Sequence, residues 1–336
     1  MINLAFVGLG WWGNELAAAA SALSTRIKIV GCYSLSQTEM KAFETQYGAI
    51  PYPSYGDLLK EPSTDGVVLS TPHSQHANQV IQAANAGKQV FVEKPLALSV
   101  HDAYRATKTC LDQEVILAVG HNRRFSSGVS EIKRCLQSGK LGQVLHVEAH
   151  FSGNSAMNFS HTTWRANREE SPAGALASIG LHMIDTIQYL LGPIERLCCL
   201  SKRQVLPVEI DDTTSALFEL QSGITGTIGT LFATPSNSLL RIYGTGGLIE
   251  AKNEFSEVSF QGDGELCENM LIQSSNTLAA ELSGFCDACE GHEAYPVTAD
   301  EAIRNVAIIE AMSSSSRQMG EWMSISGLLN KGAVSC

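Results

Sequence analysis

The segment GALASIGLHMIDTIQYLLG, residues 174–192, carries three polar side chains of different chemistry. Its apolar residues recur at helical spacing, which predicts an amphipathic helix with one buried face. Ser178, His182 and Asp185 are three and four residues apart, so a helix brings them to a second face. This combination could transfer a proton. It would equally suit a polar helix face in water or a half-buried, hydrogen-bonded histidine.

A lysine stands at the end of a predicted strand. The run QVFVEKPLALS puts Glu93, Lys94 and Pro95 directly after a stretch of buried β-type residues. In open α/β sheets, ligands bind in the crevice outside the carboxyl ends of the strands. A lysine there can orient a hydroxyl group or relay a proton. The alternative is a surface ion pair between Glu93 and Lys94.

The run FVGLGWWGNEL has glycines in G-x-G-x-x-G spacing between a hydrophobic strand and a helix. Gly8 permits a tight turn, Gly10 lets the backbone approach a pyrophosphate, and Gly13 lets the helix pack closely. The pattern predicts a dinucleotide-binding loop with the helix N-terminus facing the phosphates. A glycine-rich turn in an unrelated α/β domain is the alternative.

The second predicted strand lacks the acid that such a loop leads us to expect about twenty residues further on. Ser34 stands there, and the next Asp or Glu is Glu39. A carboxylate would bind the ribose 2′-hydroxyl of NAD and repel the 2′-phosphate of NADP, whereas a serine tolerates either. Because no arginine lies beside Ser34 to favour NADP, the choice stays open, with a slight preference for NADP.

The elements that must position these residues fall into two groups. Over the first 120 residues, strand and helix patterns alternate, which predicts a doubly wound parallel sheet. Beyond residue 123, short strands separated by glycine-containing turns predict an α+β domain with an antiparallel sheet. Residues 150–174 are expected to form a long loop over the site. Helices are predicted at Glu15–Leu23, Gln37–Tyr47, Ser74–Ala86, Val100–Leu111, Val129–Leu136, Thr277–Glu290 and Ala299–Arg317.

Composition excludes several classes of protein. The chain of 336 residues has a net charge of −11, which gives no electrostatic footprint for nucleic acid. No apolar run is long enough to span a membrane. A strand-like run at the start leaves no room for a signal peptide, so we expect a cytoplasmic protein. Cys286 and Cys289, with His292 behind them, have no second ligand pair and are read as helix packing, so no metal site is predicted.

The chain resembles the glucose–fructose oxidoreductase and inositol dehydrogenase (Gfo/Idh/MocA) family of NAD(P)-dependent oxidoreductases. This resemblance implies a Rossmann domain over 1–122 and a substrate-binding and oligomerisation α+β domain over 123–336. It implies a large, mostly antiparallel open sheet that often mediates dimers or tetramers, NAD or NADP as cofactor, and a sugar, cyclitol or polyol substrate. The matching segments are the glycine loop, STPHSQHANQVIQAANAGKQVFVEKPLALS, GHNRRF, TTWRA, AGALASIGLHMIDTIQYLLG and GHEAYPVTADEAIRNVAIIEA.

The resemblance also implies roles for individual residues. Lys94 and His182 match the catalytic pair, with His182 exchanging the proton of the substrate hydroxyl. The family often has an aspartate one turn before this histidine, where this chain has Ser178, which can bind a hydroxyl but holds no charge. Substrate contacts are expected from Lys94, Ser178, His182 and Asp185, although the family counterpart of Asp185 is usually structural. Cofactor contacts are expected from Gly8, Gly10, Trp12, Gly13, Ser34, Ser70, Thr71, Pro72, His76, Glu93, Lys94, Asn122, Arg123, Trp164 and Arg165.

Together these features predict hydride transfer between a nicotinamide and a secondary alcohol or ketone of a sugar-like substrate. The prediction requires Lys94 and His182 to converge over a nicotinamide ring held by the glycine loop. Two alternatives stay open. One is a cofactor-holding sensor without turnover, and the other is a glycoside hydrolase that uses bound NAD transiently.

Overall fold

The computed structural model describes residues 1–264 and 266–334, which form two compact units. The first unit contains Met1–Asn122, Asn276–Val306 and residues 332–334, and the second contains Arg123–Ser275 and Ala307–Lys331. The chain therefore returns to the first unit after completing most of the second, and the division into 1–122 and 123–336 stays a prediction. Across the described residues, no helix combines the length and apolarity needed to cross a membrane.

The first unit is built on a six-stranded parallel sheet of order β3-β2-β1-β4-β5-β6. This order is that of a doubly wound dinucleotide-binding fold, so the predicted Rossmann sheet is confirmed. Its strands are β1 (Ile2–Val7), β2 (Ile27–Tyr33), β3 (Ile50–Pro51), β4 (Gly66–Leu69), β5 (Gln89–Glu93) and β6 (Leu117–Gly120). Its helices before residue 122 are α1 (Trp11–Ala22), α2 (Gln37–Tyr47), α3 (Tyr55–Leu59), α4 (His73–Asn85) and α5 (Val100–Asp112).

Local sequence explains these elements. The β4 strand is apolar at every position after its glycine and is buried throughout, as a strand covered on both faces must be. Ser36 and Ser99 cap α2 and α5, because each hydroxyl accepts a hydrogen bond from a backbone N–H of the first turn. All six strands point the same way, so their carboxyl ends and the loops that follow lie along one edge.

The rest of the chain supplies a nine-stranded sheet of order β14-β13-β12-β11-β7-β10-β9-β8-β15. Among its described strands, β7 and β10 pair in parallel and the other neighbours pair antiparallel, which confirms the predicted mostly antiparallel sheet. The elements in chain order are α6 (Ser127–Gln137), β7 (Val144–Ser152), α7 (Leu181–Leu191), β8 (Ile194–Lys202), β9 (Thr213–Leu220), β10 (Thr225–Leu231), β11 (Asn237–Gly244), β12 (Gly247–Lys252), β13 (Glu257–Gly262), β14 (Glu268–Met270), α8 (Thr277–Cys289), α9 (Ala299–Arg317), β15 (Met323–Ser324) and α10 (Ile325–Val334).

The two faces of this sheet differ. In β7 the residues at alternate positions, Val147, Ala149 and Phe151, are buried, and the Phe151 ring lies 6.4 Å from the ring of His182 in α7. The residues that alternate with them, His146, Glu148 and His150, are partly exposed. This period-two pattern presents one apolar face to α7 and leaves the other face open.

The first helix, predicted at Glu15–Leu23, is observed as α1 at Trp11–Ala22. Two other predicted segments differ from the structure in kind. The helix expected over 174–192 begins with a π-helical turn at Leu176–Gly180, and α7 follows it. The loop expected over 150–174 is partly regular, because β7 continues to Ser152 and 3₁₀ turns form at Ser155–Asn158 and Trp164–Ala166. A π turn contains one residue more than an α-helical turn, and the 3.6-residue periodicity of the sequence does not reveal this insertion. The 3₁₀ turns are too short to produce a hydrophobic periodicity in the sequence.

Candidate active site

The glycine loop between β1 and α1 has the shape of a phosphate cradle. Gly8 has φ +87°, and a Cβ atom there would lie 2.7 Å from the carbonyl oxygen of Ser70. A Cβ on Gly13 would lie 2.1 Å from the carbonyl oxygen of Gly8. A Cβ on Gly10 would meet no atom within 4 Å, so open space borders the backbone there. The loop therefore fits a dinucleotide that approaches the backbone at Gly10.

Two side chains of the loop support this fit. Asn14, which the sequence analysis did not single out, donates hydrogen bonds from Nδ2 to the carbonyl oxygens of Leu9 and Gly10, at 2.8 and 3.0 Å. These bonds occupy the carbonyl groups, and the first turn of α1 carries no acidic residue, so its N–H groups favour an anion. The indole Nε1 of Trp12 is buried without a hydrogen-bond partner among the described residues, which leaves a donor for a ligand.

The loop after β4 is bonded to the glycine loop and to the end of β5. Ser70 donates from Oγ to the carbonyl oxygen of Gly8 at 2.7 Å. The buried ring of His76 lies 2.9 Å from the carbonyl oxygen of Thr71 through Nε2 and 2.7 Å from that of Pro95 through Nδ1. His76 thus acts on neighbouring backbone, while Pro72 stands at the N-cap of α4.

Lys94 follows β5 and is half-buried, with a cis peptide bond to Pro95. Its backbone N–H donates to Oε2 of the buried Glu93 at 3.2 Å. Gly120 makes room for that carboxylate, because a Cβ there would lie 2.9 Å from Glu93 Oε1. With His76 holding Pro95, the backbone of Lys94 is fixed on both sides.

Asn122 ends the first segment of the first unit and is only 3% exposed. Its Nδ2 donates to Oγ1 of Thr277, the first residue of α8, at 3.1 Å. Its Oδ1 is buried, and within 1–264 and 266–334 no hydrogen bond reaches it. Asn122 therefore offers an acceptor that a bound ligand could use.

In the second unit, the π turn and α7 carry the polar residues that the sequence singled out. His182 lies in the first turn of α7 and is 8% exposed. Its carbonyl oxygen accepts a hydrogen bond from Thr186 Oγ1. Ser178 belongs to the π turn one turn earlier. The turn lies against β10, because a Cβ on Gly180 would be 2.6 Å from the methyl group of Thr230.

Asp185 has a partner that the sequence analysis did not anticipate. Both of its oxygens bind the Arg124 guanidinium, with Nε to Oδ2 at 2.9 Å and Nη2 to Oδ1 at 2.7 Å. Each side chain is 1% exposed. Because the pair is bidentate and buried, it fixes α7 to the segment that follows β6. A substrate contact by Asp185 stays a prediction, and its carboxylate already has a partner within the protein.

Trp164 and Arg165 form a stacked pair in a 3₁₀ turn. The Arg165 guanidinium lies 4.1 Å from the centre of the Trp164 ring, a cation–π contact. Ser171 donates to the carbonyl oxygen of Arg165, and Ala166 is buried in an apolar cluster that includes Phe232. This part of 150–174 is therefore packed rather than loose.

Within the first unit, the structure brings together the glycine loop and the segments at Ser34, Ser70, His76 and Lys94 along the carboxyl edge of the sheet. Within the second, it brings Ser178, His182 and Asp185 onto one stretch of helix. Arg123, from GHNRRF, forms an ion pair with Glu254 there. The convergence of Lys94 with His182 stays a prediction.

The cysteines of α8 have the character of packed thiols. Burial raises the pKa of Cys286 to about 11 and that of Cys289 to about 12, so neither forms a thiolate near neutral pH. Their acidic neighbours Asp287 and Glu290 both bind Arg26, at 2.9 and 2.6 Å. The predicted absence of a metal site stays a prediction.

Comparison with known proteins identifies the family. Residues 2–121 match the family described as "Oxidoreductase family, NAD-binding Rossmann fold", and residues 129–250 match "GFO/IDH/MocA C-terminal domain". The chain belongs to the Gfo/Idh/MocA family. The resemblance deduced from the motifs is thereby confirmed, and so is the NAD-binding Rossmann domain.

Individual relatives extend along the chain to different degrees. Glucose-6-phosphate 3-dehydrogenase of Bacillus subtilis is 30% identical over 188 residues, covering 55% of this chain and 53% of that protein. The rhizopine catabolism protein MocA of Rhizobium meliloti is 26% identical over 317 residues, covering 92% and 93%. A structure of levoglucosan dehydrogenase in complex with NADH has a TM-score of 0.88 at 19% identity, covering 96% and 99%. The chain spans about half the length of the first curated relatives it matches.

Proposed function

We propose that this protein is an NAD(P)-dependent oxidoreductase that transfers hydride between nicotinamide and a secondary alcohol or ketone of a sugar, cyclitol or related polyol. One observation carries the proposal: the glycine cradle and Lys94 share the carboxyl edge of one parallel sheet, where ligands of such folds bind. Family membership supports the reaction class. The relative named for glucose 6-phosphate supports a sugar-like substrate.

The cofactor fits the residues of the first unit. The N–H groups around Gly10 and the N-terminus of α1 would bind its pyrophosphate. The indole N–H of Trp12 and the amide oxygen of Asn122 would supply further hydrogen bonds. When bound, the nicotinamide accepts or supplies the hydride.

The chain itself handles the proton and the orientation of the substrate. In the proposal, the Lys94 ammonium and the His182 imidazole bind the reacting oxygen and exchange its proton. The Ser178 hydroxyl binds a neighbouring hydroxyl of the substrate, since it both donates and accepts. Arg124 and Asp185 act as positioning residues, because their buried pair holds α7.

The test is a screen of sugars and polyols with NAD and NADP, followed at the nicotinamide absorbance. With a substrate found, we expect His182→Asn to lower kcat by a factor of about 10² to 10⁴, the usual contribution of general acid–base catalysis. Cofactor affinity measured by calorimetry should stay unchanged. His146→Asn is the matched control, since His146 lies on the open face of β7, where it binds Thr225.

Three results would contradict the proposal. Full kcat in His182→Asn would remove that residue from the reaction. Cofactor binding without substrate-dependent change in absorbance for any sugar or polyol would favour the sensor alternative, and glycoside cleavage without added NAD would favour the hydrolase.

A further inference from the structure

The end of β2 lies beside the glycine loop. The last residue of this strand, Tyr33, accepts a hydrogen bond at its carbonyl oxygen from the N–H of Gly8, at 3.0 Å. Ser34 follows directly and therefore stands next to the cradle. In dinucleotide-binding sheets, an acid at this point binds the ribose 2′-hydroxyl.

The first turn of α2 brings a carboxylate back to this point. Ser34 donates from Oγ to Oε2 of Glu39 at 2.5 Å. Ser36 fixes the turn, because its Oγ accepts from the Glu39 N–H at 3.2 Å and its own N–H donates to Ser34 Oγ at 3.2 Å. The acid that the strand end lacks is thus supplied five residues later by the helix.

The charge of Glu39 has no partner cation in the described part of the chain. Lys41, the nearest basic residue in sequence, binds Glu44 instead, at 2.8 Å. Leu35, at the position next to Ser34, is 86% exposed and gives a 2′-phosphate no positive charge. The neighbourhood of Ser34 is therefore negative, without the arginine that NADP sites use.

We propose that Glu39, oriented by Ser34, makes this protein select NAD over NADP. The carboxylate accepts a hydrogen bond from the ribose 2′-hydroxyl of NAD and repels the 2′-phosphate of NADP. This inference rests on the proposed dinucleotide site, and it replaces the slight preference for NADP that Ser34 alone suggested. The competing explanation is a purely structural Glu39 that supports the capped end of α2.

The experiment measures the Kd of NAD⁺ and NADP⁺ by calorimetry for the full chain and its variants. For the wild type, we expect NAD⁺ to bind about tenfold tighter or more, since a carboxylate beside a phosphate dianion is repelled even in water. Glu39→Gln keeps the size and a hydrogen-bond acceptor but loses the charge. The ratio of the Kd of NADP⁺ to the Kd of NAD⁺ should therefore fall by about tenfold, chiefly because NADP⁺ binds more tightly. Circular dichroism checks that this variant is folded.

Two further variants separate charge from structure. Glu114→Gln removes an exposed charge from the opposite edge of the same sheet, between α5 and β6, and should leave the ratio unchanged. Ser36→Ala loosens the turn that orients Glu39 but keeps its charge, so discrimination should fall by less than in Glu39→Gln and should still shrink as salt rises. The wild-type ratio should also shrink when salt rises from about 0.05 to about 0.5 M, whereas the Glu39→Gln ratio should not change.

Equal affinities in the wild type would overturn the inference, as would a Glu39→Gln ratio identical to the wild-type ratio. A loss of discrimination in Ser36→Ala that is as large as that in Glu39→Gln, and equally independent of salt, would assign Glu39 the structural role instead. Failure of the wild type to bind either dinucleotide would overturn the proposed function, and this inference with it.

Discussion

At the scale of single residues, the buried ion pair of Arg124 and Asp185 holds α7. Removing both charges from water is unfavourable, and the bidentate geometry compensates only while both partners are present. A variant that lacks one partner leaves the other charge buried and unpaired. The pair should therefore matter more for stability than any exposed ion pair of the same unit.

We predict that Asp185→Asn lowers the free energy of unfolding by about 3 kcal/mol or more, measured by urea denaturation. The control is Glu131→Gln, which breaks the pair with Arg134 on the surface of α6 and should cost less than about 1 kcal/mol. Similar losses in the two variants would show that the buried pair contributes no more than a surface one.

Residue types were easier to predict from sequence than their partners. The sequence singled out Asp185 but could not pair it with Arg124, which lies 61 residues away in the chain. The sequence shows that Ser34 stands where an acid is expected, but not that Glu39 replaces this acid, because the motif places the carboxylate at the strand end. Glu39 reaches that point only through the capped turn of α2.

At the scale of elements, the link between β8 and β9 is organised by one carboxylate. Asp212 accepts hydrogen bonds at Oδ2 from the N–H groups of Gln204, Val205 and Leu206, at 2.9, 2.8 and 3.0 Å. Burial raises the pKa of Asp212, but the three backbone hydrogen bonds together lower it by more. The pKa therefore lies below its usual value. The link carries Leu206 into the apolar cluster that also holds Ala166, next to Arg165.

We predict that Asp212→Ala lowers the free energy of unfolding by about 2–4 kcal/mol at neutral pH, because three N–H groups lose their acceptor. Since the folded pKa is lowered, the stabilisation is present above the unfolded value of 3.8 and is lost as pH falls through the folded value. Urea denaturation at neutral and acidic pH should show the variant and the wild type converging in acid. A difference in unfolding free energy that stays constant with pH would contradict this. Asp211→Ala, at the adjacent position, should lower the free energy of unfolding by less than Asp212→Ala does.

Element boundaries followed from the sequence where caps and periodicity agree. The predicted bounds of α2 and α9 coincide with the observed ones, and Ser36 shows why for α2. The segment before α7 was different. Gly174 has φ +59°, and a Cβ there would lie 1.8 Å from the carbonyl oxygen of Asp211, so distant packing sets this backbone and local pattern cannot reveal it.

At the scale of the whole molecule, the first unit depends on a segment distant in sequence. In α8, the buried ring of Phe285 lies 5.9 Å from that of Phe91 in β5. Arg26 binds Asp287, and Tyr295 donates to the carbonyl oxygen of Val119. The nucleotide-binding fold is therefore completed by residues 276–306.

We predict that Phe285→Ala destabilises the first unit by about 3–5 kcal/mol, because it leaves a cavity against β5. Thermal unfolding should show a lowered Tm, and saturating NAD⁺ should raise the Tm of both variant and wild type. Phe285→Leu, which fills most of the space, should lose less. An unchanged Tm in Phe285→Ala would mean that α8 is not part of the cooperative unit.

The parallel pairing of β7 with β10 has a consequence for how the chain is made. The ribosome completes β7 first, yet both of its neighbours come later, with His146 paired to Thr225 across 79 residues. At ordinary elongation speeds, both edges of β7 stay without a pairing strand for on the order of ten seconds. The apolar residues of β7 are interrupted by His146, Glu148 and His150. Polar residues at such positions disfavour pairing between the exposed β7 strands of neighbouring nascent chains on one messenger RNA.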